Sequence, residues 1–310
     1  MQKRRIGNSE MEIAPLALGG NVFGWTADEA ASFAILDEFV AAGGNMIDTA
    51  DVYSAWAPGH SGGESETVIG RWLKRSGKRD KVVIATKVGF MGGLAPKVIE
   101  AACDASLQRL GIECIDLYYQ HTDDQSVPLA DSLGAFEELR HAGKIRAVGL
   151  SQFTAPRIDE ATHVAKDQQF EAPCALQTWY NLVEREKLEG PLRDAALSNG
   201  LGILPFYSLA NGFLTGKYRS REDLEKSVRG TRNTEYLEGR GMRVLAALDD
   251  VAAETGAALA TVALAWTMAQ PGITAPIASA TSLDQLRELL ASMTLELTAA
   301  QIEQLNAASA

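Results

Sequence analysis

Apolar positions along the chain follow two patterns that alternate from one end to the other. Short apolar runs, such as residues 82–86 and 145–150, have the length and β-branched content of buried strands. Between such runs lie longer segments, such as 28–42 and 129–141, whose apolar residues recur at the spacing of one helix face. Strands that alternate with helices in this way predict a parallel sheet.

A short hairpin and eight strand–helix units account for almost all of the sequence. The hairpin is predicted over residues 3–13, where a Gly-Asn-Ser turn separates two short runs. The eight strands are predicted at 16–18, 46–48, 82–86, 115–120, 145–150, 175–178, 201–206 and 274–278. Helices are predicted at 28–42, 65–75, 97–110, 129–141, 155–165, 192–198, 244–254, 259–269, 283–292 and 298–307. The predicted fold is an α/β (β/α)8 TIM barrel with an N-terminal β-hairpin and a long loop after strand seven.

An open doubly wound sheet is the alternative arrangement of such units. When it binds a dinucleotide, an open sheet carries a G-x-G-x-x-G motif after an early strand, and residues 19–24 lack that spacing. The long loop, residues 208–241, is rich in glycine and charge, and loops of this length inside a compact domain are usually functional. Because no linker or low-complexity stretch interrupts the pattern, we expect residues 1–310 to form a single barrel domain.

Ionisable residues stand at the ends of three consecutive predicted strands. These residues are Asp48, Lys87 and His121, and Tyr53 follows in the loop after Asp48. The carboxyl ends of parallel strands meet at one mouth of a barrel, so we expect the four side chains to lie together. Each residue taken singly has an ordinary structural explanation, such as a cap, a solvated charge or packing. Four residues of these types at one mouth indicate a proton-donating site.

The composition of the chain restricts its possible binding partners and its cellular compartment. The formal charge of −11 argues against nucleic acid as the main partner, because phosphate binding needs a basic surface. No apolar run approaches the roughly 20 residues of a membrane span, and the basic start lacks the apolar segment of a secretion signal. We therefore expect a cytoplasmic protein that binds neither nucleic acid nor membrane.

The cysteines and histidines carry little further chemistry. Cys103, Cys114 and Cys174 are scattered among apolar residues, which is typical of small buried thiols in a reducing compartment. No Cys or His spacing indicates a metal ligand set, so no metal site is predicted. The three histidines other than His121 fall in a loop and on helices, where structural roles are expected.

The strand-end residues and the segments around them resemble the aldo-keto reductase family over nearly the whole chain. The matching pieces are residues 47–53, 85–87, 115–118, 148–151, 207–209 and 213–218, together with His121 and Gln177. The resemblance implies NAD(P)(H)-dependent interconversion of an aldehyde or ketone and an alcohol. It makes Tyr53 the general acid, whose pKa a nearby Lys87 should lower. Asp48 would hold Lys87, and His121 would orient the carbonyl.

The resemblance also implies a nicotinamide dinucleotide lying across the barrel mouth. The implied cofactor-binding residues are Ser151, Gln152, Gln177, Tyr207, Ser208, Leu209, Gly212, Leu214, Lys217, Ser279, Thr281 and Gln285. The polar groups at residues 151, 152 and 177 would hold the carboxamide, and Tyr207 would stack on the nicotinamide ring. Residues 208–217 would wrap the pyrophosphate, where glycine allows close backbone approach.

Two departures from the family pattern affect the choice of dinucleotide. Thr281 stands where bacterial members commonly carry an Arg for the 2′-phosphate, and Leu289 replaces an Asn that contacts the adenine. An Arg bidentate to phosphate is among the stronger polar contacts. We therefore expect NADP(H) to be favoured only weakly, with NAD(H) also used. Arg219 or Arg232 of the long loop is the alternative phosphate ligand.

Other interpretations remain open at this stage. The family includes potassium-channel β subunits, so a cofactor-binding regulatory protein with little turnover is the main alternative, and a barrel metallohydrolase is a weaker one because clustered ligands are lacking. Several large side chains near strand ends could line a substrate pocket or cap the barrel core; they are Trp25, Trp56, Phe90, Met91 and Trp179. The sequence names neither the physiological substrate nor the oligomeric state.

Overall fold

The computed structural model describes residues 2–310, and its first element is the predicted hairpin. Strands β1 (Arg4–Arg5) and β2 (Glu12–Ile13) pair antiparallel. Ile6 and Ile13, at the ends of these strands, are fully buried in the same apolar cluster as the first residues of several barrel strands. The hairpin therefore plugs the N-terminal end of the barrel and leaves the opposite end open.

The remaining strands form one eight-stranded parallel sheet. They are β3 (Ala17–Gly19), β4 (Met46–Asp48), β5 (Val83–Val88), β6 (Ile115–Gln120), β7 (Ile145–Ser151), β8 (Ala175–Gln177), β9 (Gly202–Ile203) and β10 (Ile277–Ala278). They pair in chain order from β3 to β9, and β10 pairs with β3. The sheet closes because the Thr274 amide donates to the Ile203 carbonyl and the Ile277 amide to the Pro205 carbonyl, both at 2.8 Å. The predicted TIM barrel is confirmed.

Ten α-helices accompany the strands within residues 2–310. They are α1 (Glu29–Ala41), α2 (Glu64–Ser76), α3 (Pro96–Leu110), α4 (Leu129–His141), α5 (Ala155–Gln168), α6 (Pro191–Ser198), α7 (Arg240–Thr255), α8 (Leu259–Met268), α9 (Leu283–Ala291) and α10 (Ala299–Ser309). Polar caps begin several of them: the Asp28 carboxylate accepts from the Ala31 amide, and Thr298 forms a capping box with Gln301. All ten predicted helices are present, and most of their observed ends differ from the predicted ends by only a few residues.

The long loop after β9 is more regular than its sequence suggests. It contains three short 3-10 segments, Ala210–Thr215, Glu222–Lys226 and Gly230–Leu237, before α7 begins. Gly230 lies so close to the backbone of Leu224 that a Cβ at this position would overlap its carbonyl oxygen. The loop is therefore packed on itself at this point.

The barrel interior divides into an apolar lower part and a polar top. Because successive strand residues point to opposite faces, Met46 and Asp48, like Ala85 and Lys87, both point inward. Tyr119 fills the space over Gly149, where a Cβ would overlap its ring. The ionisable residues therefore lie one layer above the apolar core, at the carboxyl ends of the strands.

Two of the three cysteines are buried as the sequence predicts, whereas Cys114 is partly exposed. Cys103 and Cys174 are buried, and burial raises the pKa of both thiols to about 12, which makes their thiolates scarce at neutral pH. Within residues 2–310, no single helix is long and apolar enough to cross a membrane. The pair α7 and α8 passes the same test only together, and it is bent by 97°.

Candidate active site

The Lys87 ammonium lies at the centre of the polar layer. Lys87 is fully buried near the end of β5, and its Nζ donates to Asp48 Oδ2 at 2.7 Å and to the Thr49 carbonyl at 2.6 Å. The third contact is to the Tyr53 hydroxyl at 3.0 Å. All three hydrogen-bonding directions of an ammonium are used, so Lys87 has one defined position.

The Asp48 carboxylate is the counter-ion of Lys87. Its second oxygen, Oδ1, accepts from Gln177 Nε2 at 2.9 Å, so both oxygens have donors in the barrel interior. Burial lowers the pKa of Lys87, but the charge of Asp48 and the contact with Tyr53 outweigh it, and the pKa lies above its ordinary value. Lys87 is therefore held as a cation beside Tyr53.

The Tyr53 hydroxyl faces this cation from the loop after β4. Burial raises the pKa of Tyr53 above its ordinary value, while the charge of Lys87 acts in the opposite direction. The lowered Tyr53 pKa predicted from the sequence is not found: burial outweighs the charge of Lys87, because the phenolate would have to form in a partly desolvated site. Tyr53 is thus protonated at neutral pH, which is the state that a proton donor needs.

The His121 imidazole completes the group of four. It follows β6, is almost fully buried, and its ring centroid lies 6.1 Å from that of Tyr53. Burial, aided by the charge of Lys87, lowers the pKa of His121 to about 3. The Nδ1 atom is buried without a hydrogen-bond partner within residues 2–310. A neutral imidazole at this position can hydrogen-bond a ligand oxygen without adding a charge.

Aromatic side chains form a rim around the hydroxyl of Tyr53. Trp56 contacts the Tyr53 ring at 5.9 Å between centroids, Trp25 contacts Trp56 at 5.5 Å, and Phe90 lies 5.1 Å from His121. Trp56 and Phe90 remain 47% and 56% exposed, which is high for large apolar side chains. These rings line the mouth and do not cap the barrel core, which answers one of the questions left open by the sequence.

The nicotinamide-side residues lie on β7, on β8 and after β9. Ser151 is buried and opposite Gln177 in the strand register. Gln152 and Tyr207 adopt left-handed backbone conformations with φ of 59° and 54°, which non-glycine residues rarely do. The Gln152 amide donates to the His121 carbonyl, and the Tyr207 ring packs 4.5 Å from Trp179. Gln177 already donates one amide hydrogen to Asp48, which leaves its other groups for a ligand.

The predicted pyrophosphate segment forms a tight turn. The segment includes Ala210, Asn211 and Gly212, which all have positive φ, and a Cβ on Gly212 would lie 3.1 Å from Lys217 Nζ. The Leu214 side chain is fully buried, so it is not a direct ligand contact. The Ser208 hydroxyl donates to the Pro205 carbonyl, and Leu209 packs partly buried against the core. The segment therefore offers mainly backbone groups and the Lys217 cation.

A cavity of about 450 Å³ lies between this turn and residues 231–236, in the later part of the long loop. Its lining residues are Trp179, Glu184, Tyr207, Asn211, Thr231, Arg232, Thr234, Glu235 and Tyr236. Two buried polar atoms of the lining, Trp179 Nε1 and Asn211 Oδ1, have no hydrogen-bond partner within residues 2–310. Unsatisfied polar atoms in a cavity mark the place where a polar ligand would bind. Trp179 Nε1 can donate to a ligand oxygen and Asn211 Oδ1 can accept from a ligand amide, which suits the nicotinamide end of a dinucleotide. Arg232 is the one cation of this lining, and Glu184 and Glu235 are not phosphate ligands.

The other end of the predicted cofactor site lies between β10 and α9. The amide and the hydroxyl of Thr281 both donate to the Gln285 side chain, at 2.9 and 3.1 Å, and Ser279 bonds Asn21. Leu289 is buried. These polar groups therefore satisfy one another, and none of the three positions 279, 281 and 285 provides a cation for a phosphate.

Sequence reasoning missed two residues near the site. The sequence shows an Asn-Gly pair at 211–212, which is a typical turn signal. It does not show that Asn211 has a left-handed backbone or that its side-chain oxygen lines the cavity without a hydrogen-bond partner. Arg229 was hidden because nothing in its local sequence distinguishes it from the other arginines of the long loop. Among residues 2–310, no three His, Cys, Asp or Glu side chains are grouped so that they could hold a metal ion.

The profile of the Aldo/keto reductase family matches residues 15–310. The chain belongs to the aldo/keto reductase family. Members of this family are oxidoreductases that typically use NAD(P)H.

Three relatives illustrate the range of the family. The chain is 33% identical to Protein tas of Escherichia coli, over 96% of this chain and 94% of that protein. It is 29% identical to the Schizosaccharomyces pombe aldo-keto reductase yakc, whose name specifies NADP(+), over 98% and 90% of the two chains. It is 30% identical to a probable voltage-gated potassium channel subunit beta of Arabidopsis thaliana, over 93% and 90%.

Proposed function

We propose that residues 1–310 form a single-domain enzyme that interconverts an aldehyde or ketone and an alcohol, with Tyr53 as the general acid and base. The observation that carries the proposal is the contact between Tyr53 and Lys87, whose ammonium also binds Asp48. A protonated phenol, a fixed cation and a neutral imidazole face one mouth lined with aromatic rings. That combination suits the reduction of a partly apolar carbonyl compound.

The proton step follows from the charges of these groups. The Tyr53 hydroxyl donates its proton to the carbonyl oxygen as negative charge develops there. The phenolate that remains is stabilised by Lys87, whose own charge Asp48 balances in the barrel interior. His121, neutral because burial lowers its pKa to about 3, orients the carbonyl oxygen through a hydrogen bond. In alcohol oxidation the same phenolate would accept the proton.

The cofactor proposed for this reaction is NADP(H), with NAD(H) also accepted. When bound, the reduced dinucleotide supplies the hydride that the carbonyl carbon accepts. Ser151, Gln152 and Gln177 would hold the carboxamide, and the Tyr207 ring would support the nicotinamide. The remainder of the dinucleotide would be held by Ser208, Leu209, Asn211, Gly212, Leu214 through its backbone, Lys217, Ser279, Thr281 and Gln285.

Weak discrimination between the two dinucleotides follows from the groups near Thr281. Arg287, the cation nearest in sequence, pairs with Glu38 and Asp284. Arg219 makes two 2.7 Å hydrogen bonds to Asp249, so it is not free to bind a phosphate. Arg232, the other alternative, lines the cavity beside Tyr207 at the nicotinamide end. Hydroxyl and amide groups near Thr281 therefore remain as the ligands for a 2′-phosphate, and they bind it less strongly than an Arg would.

The test is a fluorescence titration of the purified protein with NADPH and NADH, followed by a panel of aldehydes and ketones. Binding of a dinucleotide with turnover of at least one carbonyl compound supports the proposal. Tight binding without turnover, combined with slow cofactor exchange, would favour a regulatory role like that suggested by the name of the Arabidopsis relative. The presence of all four residues of the proton-donating group favours the enzyme.

A further inference from the structure

Arg229 differs from most other arginines of the long loop in having no carboxylate partner. Arg219 pairs with Asp249, Arg221 with Glu238 and Arg240 with Glu186. Within residues 2–310, no Asp or Glu oxygen lies within 4.0 Å of the Arg229 guanidinium. The side chain is nevertheless half-buried, and burial lowers its pKa. A partly desolvated cation without a counter-ion is costly, so its presence calls for a ligand.

The position of Arg229 directs this cation towards the substrate side of the site. Its guanidinium carbon lies 5.0 Å from the centroid of Trp25, on the aromatic rim that continues through Trp56 to Tyr53. Trp25 in turn lies 5.5 Å from Trp56, whose ring is 5.9 Å from that of Tyr53, so the guanidinium borders the rim that leads to the Tyr53 hydroxyl. An anionic group bound to Arg229 would thus be attached to the molecule whose carbonyl meets Tyr53.

The backbone around Arg229 is fixed before any ligand binds. Its amide donates to Ser227 Oγ at 3.3 Å, and that hydroxyl is hydrogen-bonded to the Tyr218 hydroxyl at 2.5 Å. The next residue, Gly230, is buried against the backbone of Leu224, where no side chain would fit. A guanidinium held on a tryptophan face over a rigid turn loses little freedom on binding a planar anion.

Building on the proposed function, we propose that Arg229 binds a carboxylate on the substrate, so that the enzyme favours carbonyl compounds that carry a carboxylate. A guanidinium matches a carboxylate through two parallel hydrogen bonds, and the aromatic rim would cover the apolar part between carboxylate and carbonyl. Arg232, which lines the cavity beside Tyr207 and Asn211, would be the separate cation for the dinucleotide pyrophosphate.

The test compares 4-carboxybenzaldehyde with methyl 4-formylbenzoate, a neutral ester with the same ring and formyl group. In Arg229→Gln, we expect kcat/KM for the carboxylate to fall on the order of 10- to 100-fold, mainly through KM, as for loss of a charge-assisted hydrogen bond. The ester should change by less than about 2-fold, because the proton-donating group is untouched. Arg229→Lys should recover part of the loss.

Arg221→Gln is the matched control, because it removes an exposed charge from the same loop. Its two kcat/KM values should follow those of the parent. The dissociation constant for NADPH should be unchanged in Arg229→Gln and weakened in Arg232→Gln. An equal loss for both aldehydes in Arg229→Gln, or weaker NADPH binding in that variant, would overturn the proposal.

A binding measurement separates this proposal from the proposed reaction. Calorimetric titration of the NADPH complex with 4-(hydroxymethyl)benzoate and with its methyl ester allows no turnover, because cofactor and alcohol are both in the reduced state. Binding of the carboxylate alone, lost in Arg229→Gln, supports the carboxylate site even if the parent reduces no aldehyde. Equal binding of acid and ester by the parent would overturn it, whatever the turnover.

Discussion

Lys87 and Arg229 are both cations near the barrel mouth, Lys87 in contact with Tyr53 and Arg229 on the Trp25 ring, and the protein stabilises them in opposite ways. Lys87 is fully buried on a strand, makes three hydrogen bonds and has Asp48 at 2.7 Å, and its pKa lies above the ordinary value. Arg229 is half-buried on a loop, has no carboxylate near it, and burial lowers its pKa. The strand cation is satisfied by the protein itself, whereas the loop cation is left for a ligand.

The same contrast holds for the two regions in which these cations lie. Strand ends hold Asp48, Lys87 and His121 in one geometry because the backbone hydrogen bonds of the barrel fix each strand against the next. Loops 208–239 and 279–282 hold groups that either pair with one another or have no partner. We therefore expect substitutions at the strand ends to affect chemistry and stability, and substitutions in the loops to affect the choice of ligand.

Tyr53→Phe should produce the largest effect. Loss of the hydroxyl should lower kcat on the order of 10²- to 10⁴-fold, the usual contribution of a general acid, while folding and cofactor binding persist because the ring remains. Steady-state kinetics measure kcat, and a thermal melt with and without cofactor measures folding and cofactor binding. Tyr118→Phe is the control, since its buried hydroxyl has no partner within residues 2–310. A Tyr53→Phe variant with near-parental kcat would show that another group donates the proton.

Lys87→Met should combine loss of turnover with loss of stability. We expect kcat to fall about as much as in Tyr53→Phe, and the free energy of unfolding to drop by about 3–5 kcal/mol, because the Asp48 charge stays buried without its partner. Urea denaturation measures the second effect. The double variant Asp48→Asn/Lys87→Met should recover much of the stability without recovering kcat. An active double variant would contradict the role given to the cation.

Thr281→Arg should change the choice of dinucleotide and leave the chemistry alone. The added guanidinium should raise the preference for NADP(H) over NAD(H) by about 10-fold, as expected for one new charge-assisted contact. The ratio of kcat/KM for the two cofactors measures it, and Thr294→Arg adds the same charge at another exposed position as a control. A parent preference above about 10³-fold that Thr281→Arg leaves unchanged would show that another cation binds the 2′-phosphate.

The smallest expected effect concerns pH. Because the pKa of His121 is about 3, its ring stays neutral above pH 4 and should contribute no step to kcat/KM for reduction. Asp51, whose amide donates to the Lys87 carbonyl at 3.2 Å, has a pKa that burial and the charge of Glu66 raise to about 6. The inflection expected near pH 6 is therefore that of Asp51, and it should vanish in Asp51→Asn. A step near 6.5 that persists in Asp51→Asn would mean that His121 titrates.

The free energy of unfolding should also depend on the protonation of the Asp51 carboxylate. The folded pKa of Asp51 lies above its ordinary value of 3.8, so the folded state holds this proton more tightly than the unfolded chain does. The contribution of Asp51 is therefore full below about pH 4 and is lost as pH rises through about 6. Asp51→Asn should flatten this part of the stability profile, measured by urea denaturation at a series of pH values.

The amino-acid sequence by itself determined the barrel and the meeting of Asp48, Tyr53, Lys87 and His121 at one mouth. Hydrophobic periodicity is a local property, and eight repeats of strand and helix leave few closed arrangements. The end of a parallel strand is also a defined place, so Asp48, Lys87 and His121 could be assigned to one mouth before any distance was known. The structure added the 3.0 Å contact from Lys87 to Tyr53 and showed that burial keeps the Tyr53 pKa high.

Only the tertiary structure decided what the loops do. Arg229, Arg219 and Arg221 look alike in sequence, and they differ because two of them fold onto carboxylates that are 17 or more positions away, Asp249 and Glu238. Likewise, the left-handed backbone at Asn211 and the packing of Gly230 on Leu224 follow from how the loop folds back on itself. Partners that are distant along the chain leave no periodic pattern, so the charge that remains available to a ligand is visible only after the chain has folded.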